Sequence, residues 1–210
     1  MISEILQYYA TNGNLVLEQF LRHFLISIYG VLFASIVAIP LGFKIARHRK
    51  LAPWVIRIGN VIQTIPSLAM LSILMIVMGL GPNTVVMTVF LYSLLPIVKN
   101  TYTAVLNVQP QLLDVAKGMG MTSRQILLKV ELPLSMSIII GGIRNALVLA
   151  IGITAIGTFI GAGGLGDIIT RGINVSNGSA IVWAGALPTA LMAILADVSL
   201  SYLEKKLIKV

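Results

Sequence analysis

The sequence predicts an all-α integral membrane protein with five transmembrane helices, its N-terminus outside and its C-terminus in the cytoplasm. Three observations carry that prediction. The mean hydropathy of the 210-residue chain is +0.95, with 57% hydrophobic and only 10% charged residues, a balance suited to a bilayer that leaves no room for a second soluble domain. Uncharged stretches of 20 residues or more recur along the chain, and at about 1.5 Å per residue such a stretch crosses roughly 30 Å of hydrocarbon. The Lys and Arg residues cluster beside those stretches, as cytoplasmic retention of positive charge predicts. The net charge of +8 is therefore a topology signal, and nucleic acid is not an expected partner.

Taken in order, residues 1–18 (MISEILQYYATNGNLVLE) mix Leu6, Tyr8, Tyr9, Leu15 and Leu17 with polar side chains, the pattern of an interfacial segment lying on the membrane. The stretch is acidic and polar without a basic leader, so it is expected to stay on the protein. The membrane domain is expected over 19–203. Its first span, 24–46, contains the uncharged run Phe24 to Phe43 and ends in a basic cluster of Lys44, Arg47, His48, Arg49 and Lys50. No charge occurs between Arg57 and Lys99, but Gly79-Leu80-Gly81-Pro82-Asn83 divides that run by turn chemistry into spans at 55–78 and 84–103. A fourth span is expected at 134–160 and a fifth at 180–202, followed by a basic tail at 204–210. The three presumed cytoplasmic regions hold twelve of the 15 Lys and Arg residues, and an odd number of crossings puts the termini on opposite sides. No internal repeat is evident, so an inverted-repeat carrier has no support.

Between the third and fourth spans lies a polar island, Pro110 to Pro133, reading PQLLDVAKGMGMTSRQILLKVELP. Pro110 suits a first helical turn, Gly118 and Gly120 suit a helix end, and Thr122 with Gln125 forms a capping box that restarts a helix. Leu112, Ala116 and Met119 share one face of the first helix, and Ile126 and Val130 one face of the second. Such a hairpin outside the bilayer has apolar faces in need of a partner.

The spacing within the island resembles the EAA loop of binding-protein-dependent ABC importer permeases (EAA, three residues, G, nine residues, I-x-LP). Asp114-Val115-Ala116, Gly120, Val130 and Leu132-Pro133 occupy its positions, with Asp114 for Glu, Val115 for Ala and Val130 for Ile. Further stretches resemble the glycine betaine, carnitine and choline subfamily: NVIQTIPSLAML at 60–71, VKNTY at 98–102, GMGMT at 118–122, VELPL at 130–134, GIRN at 142–145 and FIGAGGLG at 159–166. The resemblance implies a type I importer transmembrane domain with the methionine-permease-like fold. It implies that Asp114, Ala116, Gly118, Gly120, Thr122, Val130, Leu132 and Pro133 dock on a cytoplasmic ATPase dimer. It implies an external substrate-binding protein, a second permease subunit, identical or paralogous, and surrounding membrane lipid. ATP and Mg would be bound by the ATPase, with no cofactor in this chain. Osmoprotectant uptake is the leading reading and an amino-acid importer such as a methionine permease the alternative. A self-sufficient ion-coupled carrier or channel is the rival class, but Asp197 is its sole candidate coupling acid within a span.

Gln63, Thr64, Pro66 and Ser67 concentrate hydrogen-bonding groups beside a helix breaker at membrane depth, which suits either a wet pathway or a kink satisfied by neighbouring helices. Arg144, next to Asn145, is costly within a span and must face the bundle interior or water, where it either stabilises the bundle or holds a zwitterion's carboxylate. Asp197 is the obvious counter-charge. However, Arg144 lies about 15 Å in from the cytoplasmic end of the fourth span and Asp197 close to that end of the fifth, which sets depth against a simple pair. Gly161 to Gly166 (GAGGLG) follows a helix and lacks the Lys-Ser/Thr of a phosphate loop, so it is expected to end the fourth span and allow a tight re-entry. With no cysteine and with His23 and His48 isolated at opposite faces of the first span, no metal site is expected. No nucleophile, base and acid are grouped for catalysis.

Overall fold

The computed structural model describes residues 1–208, and all regular structure among them is helical. Helix α1 (Ile2–Arg47) has 46 residues, a length of about 69 Å that exceeds the hydrocarbon thickness twofold. The segment expected at the interface is thus continuous with the first span. It is interrupted at Asn12 (φ −119°, ψ 19°), whose side-chain amide donates to the Tyr8 carbonyl at 3.3 Å. Beside this break the Tyr9 hydroxyl donates to the Ala184 carbonyl at 3.0 Å.

The second span is not one rod. It divides into α2 (Ala52–Thr64) and α3 (Ser67–Met78), bent by 95°. Pro66 has no N–H to give and holds the preceding Ile65 extended at φ −69°, ψ 127°. With 13 and 12 residues, each piece rises less than about 20 Å and spans a bilayer only as a pair. Gly79 and Gly81, at φ 80° and 115°, make the turn into α4 (Pro82–Leu106).

Helix α5 (Pro110–Gly118) and α6 (Ser123–Ile126) form the island. A widened π turn, Leu127–Glu131, leads from α6 into α7 (Leu132–Ile156), so residues 123–160 are one helical run of 38 residues. The helix that carries the expected fourth span therefore begins before residue 134. A 3₁₀ turn, Gly157–Ile160, and a glycine-rich corner lead to α8 (Leu165–Ile173), an element absent from the sequence expectation, and then to α9 (Ser179–Ile208). The expected tail is helical as far as Ile208; Lys209 and Val210 lie outside the described residues.

Helices α1, α4, α7 and α9 build the bundle, and α1, α4, the run 123–160 and α9 are long and apolar enough to cross a membrane. The bent pair α2–α3 makes a fifth candidate crossing when counted as one broken span. Backbones meet closely where side chains are missing: a Cβ on Gly30 would sit 2.4 Å from Val89, on Gly42 2.5 Å from Thr101, and on Gly142 2.7 Å from Asn100. Close backbone approach of this kind is how apolar helices associate where lipid removes the hydrophobic drive.

Candidate functional site: the island loop and the broken helix

The corner of the island is a Schellman motif. The Gly120 N–H donates to the Lys117 carbonyl at 2.9 Å and the Met121 N–H to the Ala116 carbonyl at 3.1 Å, with Gly120 at φ 77° in the left-handed region. Gly118 is simply the last residue of α5, so Gly120 alone supplies the reversal. Helix α6 then restarts on the capping box expected from sequence: Thr122 Oγ1 accepts from the Gln125 N–H, and Gln125 Oε1 accepts from the Thr122 N–H at 2.8 Å. Local chemistry thus shapes the loop without help from the bundle.

One assignment within it changes. Ala116 is buried, as is Ile126, whereas Leu112, Val115 and Met119 are 43%, 61% and 77% exposed. The exposed apolar stripe of α5 therefore runs through Val115 and not Ala116, because at 100° per residue Ala116 falls on the flank turned to the rest of the loop. Asp114 is exposed and pairs with Lys117 at 3.1 Å.

The junction to α7 follows from Pro133. In a regular helix its ring would press on the carbonyl of residue 129; the π turn instead carries the Leu132 N–H to the Leu127 carbonyl and takes up the mismatch. Val130 and Leu132 are half-buried on either side of Glu131, which is buried and accepts from Arg47 Nη2 at 2.8 Å. That pair ties the end of α1 to the root of the loop.

At the α2–α3 corner the polar residues are spoken for by a neighbour that sequence reasoning missed. Pro96 cannot donate to the Tyr92 carbonyl four residues earlier, and Gln63 Nε2 fills that vacancy at 3.1 Å. The Tyr92 hydroxyl in return donates to the Ile65 carbonyl, which the helix break leaves outside any ladder. Asn100 donates to the Pro96 carbonyl at 2.8 Å. The signal was readable: a proline four residues after Tyr92 implies an orphan acceptor. Thr64 and Pro66 are exposed and Ser67 half-buried, with the Thr64 hydroxyl returned to the Val61 carbonyl at 2.7 Å.

Arg144 is not grouped with that corner. Its Nε lies 3.7 Å from Asp197 Oδ1 and its Nη2 3.6 Å from Glu204 Oε2, both on α9. The depth argument against Asp197 fails because α9 continues to Ile208, placing Asp197 about 16 Å from its end, level with Arg144 at about 18 Å into α7. These are ion contacts without hydrogen bonds, and the Nε proton has no acceptor among the described residues. Asn145 is exposed beside it.

At the other end of the bundle, α1 presents Gln19, His23 and Ser27, all buried and spaced by four on one face. Gln19 Oε1 accepts from the Gly164 N–H at 2.6 Å, and His23 Nδ1 from the Leu165 N–H at 3.3 Å. His23 Nε2 donates to the Ile151 carbonyl at 2.9 Å, an arrangement that requires the neutral Nε2–H tautomer. The Ser27 and Thr154 hydroxyls bond at 2.9 Å. GAGGLG ends the α7 run in a tight corner as expected, with Gly161, Gly163 and Gly164 at positive φ, and it is pinned to α1 by side chains. The i, i+4, i+8 polar stripe was the sequence signal for this contact.

Comparison with known proteins agrees with this architecture. The model of the family described as binding-protein-dependent transport system inner membrane component matches residues 20–209. The carnitine transport permease protein OpuCD of Listeria monocytogenes is 63% identical over 98% of this chain and 92% of its own length. The glycine betaine/carnitine/choline transport system permease protein OpuCD of Bacillus subtilis is 61% identical over 97% and 91%. Among solved structures, the inward-facing MetNI methionine ABC transporter superposes with a TM-score of 0.82 at 19% identity, covering 94% of this chain and 98% of that one; it shares the type I importer fold. The chain belongs to the family of binding-protein-dependent transport system inner membrane components, a transport subunit and not an enzyme.

Proposed function

We propose that this chain is one of two permease subunits of an ATP-driven importer that carries an osmoprotectant, such as carnitine, glycine betaine or choline, across the cytoplasmic membrane. The observation that carries the reading is α5: a helix closed by its own C-terminal turn that exposes Leu112, Val115 and Met119, with nothing among the described residues to cover them. An apolar face of that kind fits a groove on another protein. The position of the loop beside the basic stretch at 44–50 supports a cytoplasmic address and an ATPase dimer as the occupant, with ATP and Mg held there. The substrate class rests on relatives above 60% identity, whereas the likeness to the methionine transporter, at 19%, speaks for the fold alone.

In this mechanism, closure of the ATPase dimer draws the two docked loops together. The rigid run from α6 into α7 passes the movement to the bundle, and Glu131 and Arg47 carry it to α1. An external binding protein delivers the substrate and, by binding the outward-open form more tightly, shifts the equilibrium towards it. The α2–α3 corner, with Gln63, Thr64, Pro66 and Ser67, is the proposed pathway lining, Gln63 and Tyr92 holding its shape. Arg144 and Asn145 stand on α7, where Arg144 braces α9 through Asp197 and Glu204.

Uptake into proteoliposomes containing both permease subunits and the ATPase tests this. Labelled carnitine should accumulate only with the binding protein outside the vesicle and ATP at the ATPase. Accumulation driven by an ion gradient without ATP would overturn the importer reading, and displacement of carnitine by methionine would overturn the substrate class.

A further inference from the structure

A groove of about 420 Å³ lies between the end of α1 and the π turn before α7. Ile39, Pro40 and Phe43 form one wall, and Leu127, Leu128 and Leu132 the other. One helical turn beyond the apolar part, Lys44, Arg47 and His48 form the rim. Arg47 is engaged by Glu131, but among the described residues no carboxylate lies within ion-pair distance of Lys44 or of the adjoining Arg49 and Lys50. The order along α1 is that of a lipid: apolar wall within the span, uncompensated cations where the helix leaves it.

We propose that this groove seats one anionic phospholipid, an acyl chain lying against Phe43 and Leu128 and the phosphate meeting Lys44 with its basic neighbours. Charge selects this occupant. A second copy of the chain, at a net charge of +8 with 7 acidic residues, would bring like charge to the rim, and a soluble anion would leave the apolar walls uncovered. A basic side chain beside a membrane contributes to anionic lipid binding by roughly a fivefold preference. The lipid would touch both the end of the first span and the turn that carries the loop, so its presence would stiffen the joint made by Arg47 and Glu131.

The test uses the full chain, purified with its partner subunits, and counts retained lipid by native mass spectrometry after exposure to phosphatidylglycerol or phosphatidylcholine with identical acyl chains. Phosphatidylglycerol should be retained about fivefold or more over phosphatidylcholine. Lys44→Gln, at an exposed position, should lower that ratio about fivefold, and Leu128→Trp, which fills the groove, should reduce retention of both lipids. Equal retention, a ratio that Lys44→Gln does not move, or a lipid count that Leu128→Trp does not lower would overturn the proposal. So would displacement of phosphatidylglycerol by millimolar inorganic phosphate, since that would mean a headgroup site without an acyl seat. Leu128→Trp splitting the permease pair at unchanged lipid count would overturn it by assigning the groove to protein. Lipid retention is read without transport, so failure here leaves the importer reading standing.

Discussion

The two ends of the bundle turn the chain with the same residue and secure the turn in opposite ways. At GAGGLG, the positive-φ glycines sit in a buried corner whose backbone donors are taken by Gln19 and His23, more than 140 residues away in sequence. At the island, Gly120 sits in an exposed corner whose bonds come from residues 115 to 126. The first corner holds its shape because the bundle imposes it. The second holds its shape alone and shows its apolar face outward, which is what a handle for another protein requires. Substitutions should therefore separate cleanly: changes at the first corner should cost stability, changes at the second should cost coupling.

The largest loss of stability is expected from Gly166→Ala. Its Cβ would lie 2.0 Å from the Ala155 carbonyl oxygen, a backbone atom in α7 that cannot turn aside, so the cost should reach or exceed the ~3 kcal/mol typical of severe overpacking. Little monodisperse protein should survive purification, and a variant with normal melting would remove the idea that this corner is closed by backbone contact. Next in size is Gln19→Ala, which strands the buried Gly164 N–H at a cost of about 1–3 kcal/mol. Thermal melting in detergent should drop accordingly, while the surviving protein still binds the ATPase. Loss of ATPase binding at unchanged melting would mean that the two ends are coupled more tightly than the bonding suggests.

How far these features were legible in the sequence follows the same division. Thr122 and Gln125, Gly120 and the helix break at Pro66 are local, and spacing alone places them. What went astray needed tertiary knowledge. The fourth helix was expected to start only after Pro133, whereas a π turn absorbs a proline that a regular helix cannot. Arg144 was set apart from Asp197 because the end of the last span was read from hydropathy, which falls at Ser199 to Lys206 while the helix itself runs on. The tie between Gln63 and Tyr92 joins two helices, and no pattern within either one names the partner.

Smaller again in stability is Gly120→Val. A β-branched residue at φ 77° costs about 1–2 kcal/mol, and apart from the two chain neighbours no described atom lies within 4 Å of a Cβ there. The penalty is conformational, so the chain should relieve it by opening the corner, leaving the bundle folded. Melting should shift only slightly, ATP-driven uptake should fall tenfold or more, and affinity for the external binding protein should stay intact. Loss of that affinity with normal ATPase coupling would show that the corner serves the wrong end of the molecule.

The smallest effect on stability, and the sharpest test of the comparison, belongs to Met119→Asp. Met119 is 77% exposed, so a charge there faces water in the isolated subunit and should change stability by no more than about 0.5 kcal/mol. Against an ATPase groove the same carboxylate must be desolvated without a partner, and the loss of a buried anchor at an interface is worth roughly 2 kcal/mol or more, some thirtyfold in affinity. Co-purification of the ATPase with this subunit should therefore collapse while melting holds. If Met119→Asp instead left the complex intact, the stripe through Leu112, Val115 and Met119 would be a lipid-facing or solvent-facing edge. The handle would then have to be sought on the opposite flank of α5, where Asp114 and Lys117 pair at 3.1 Å.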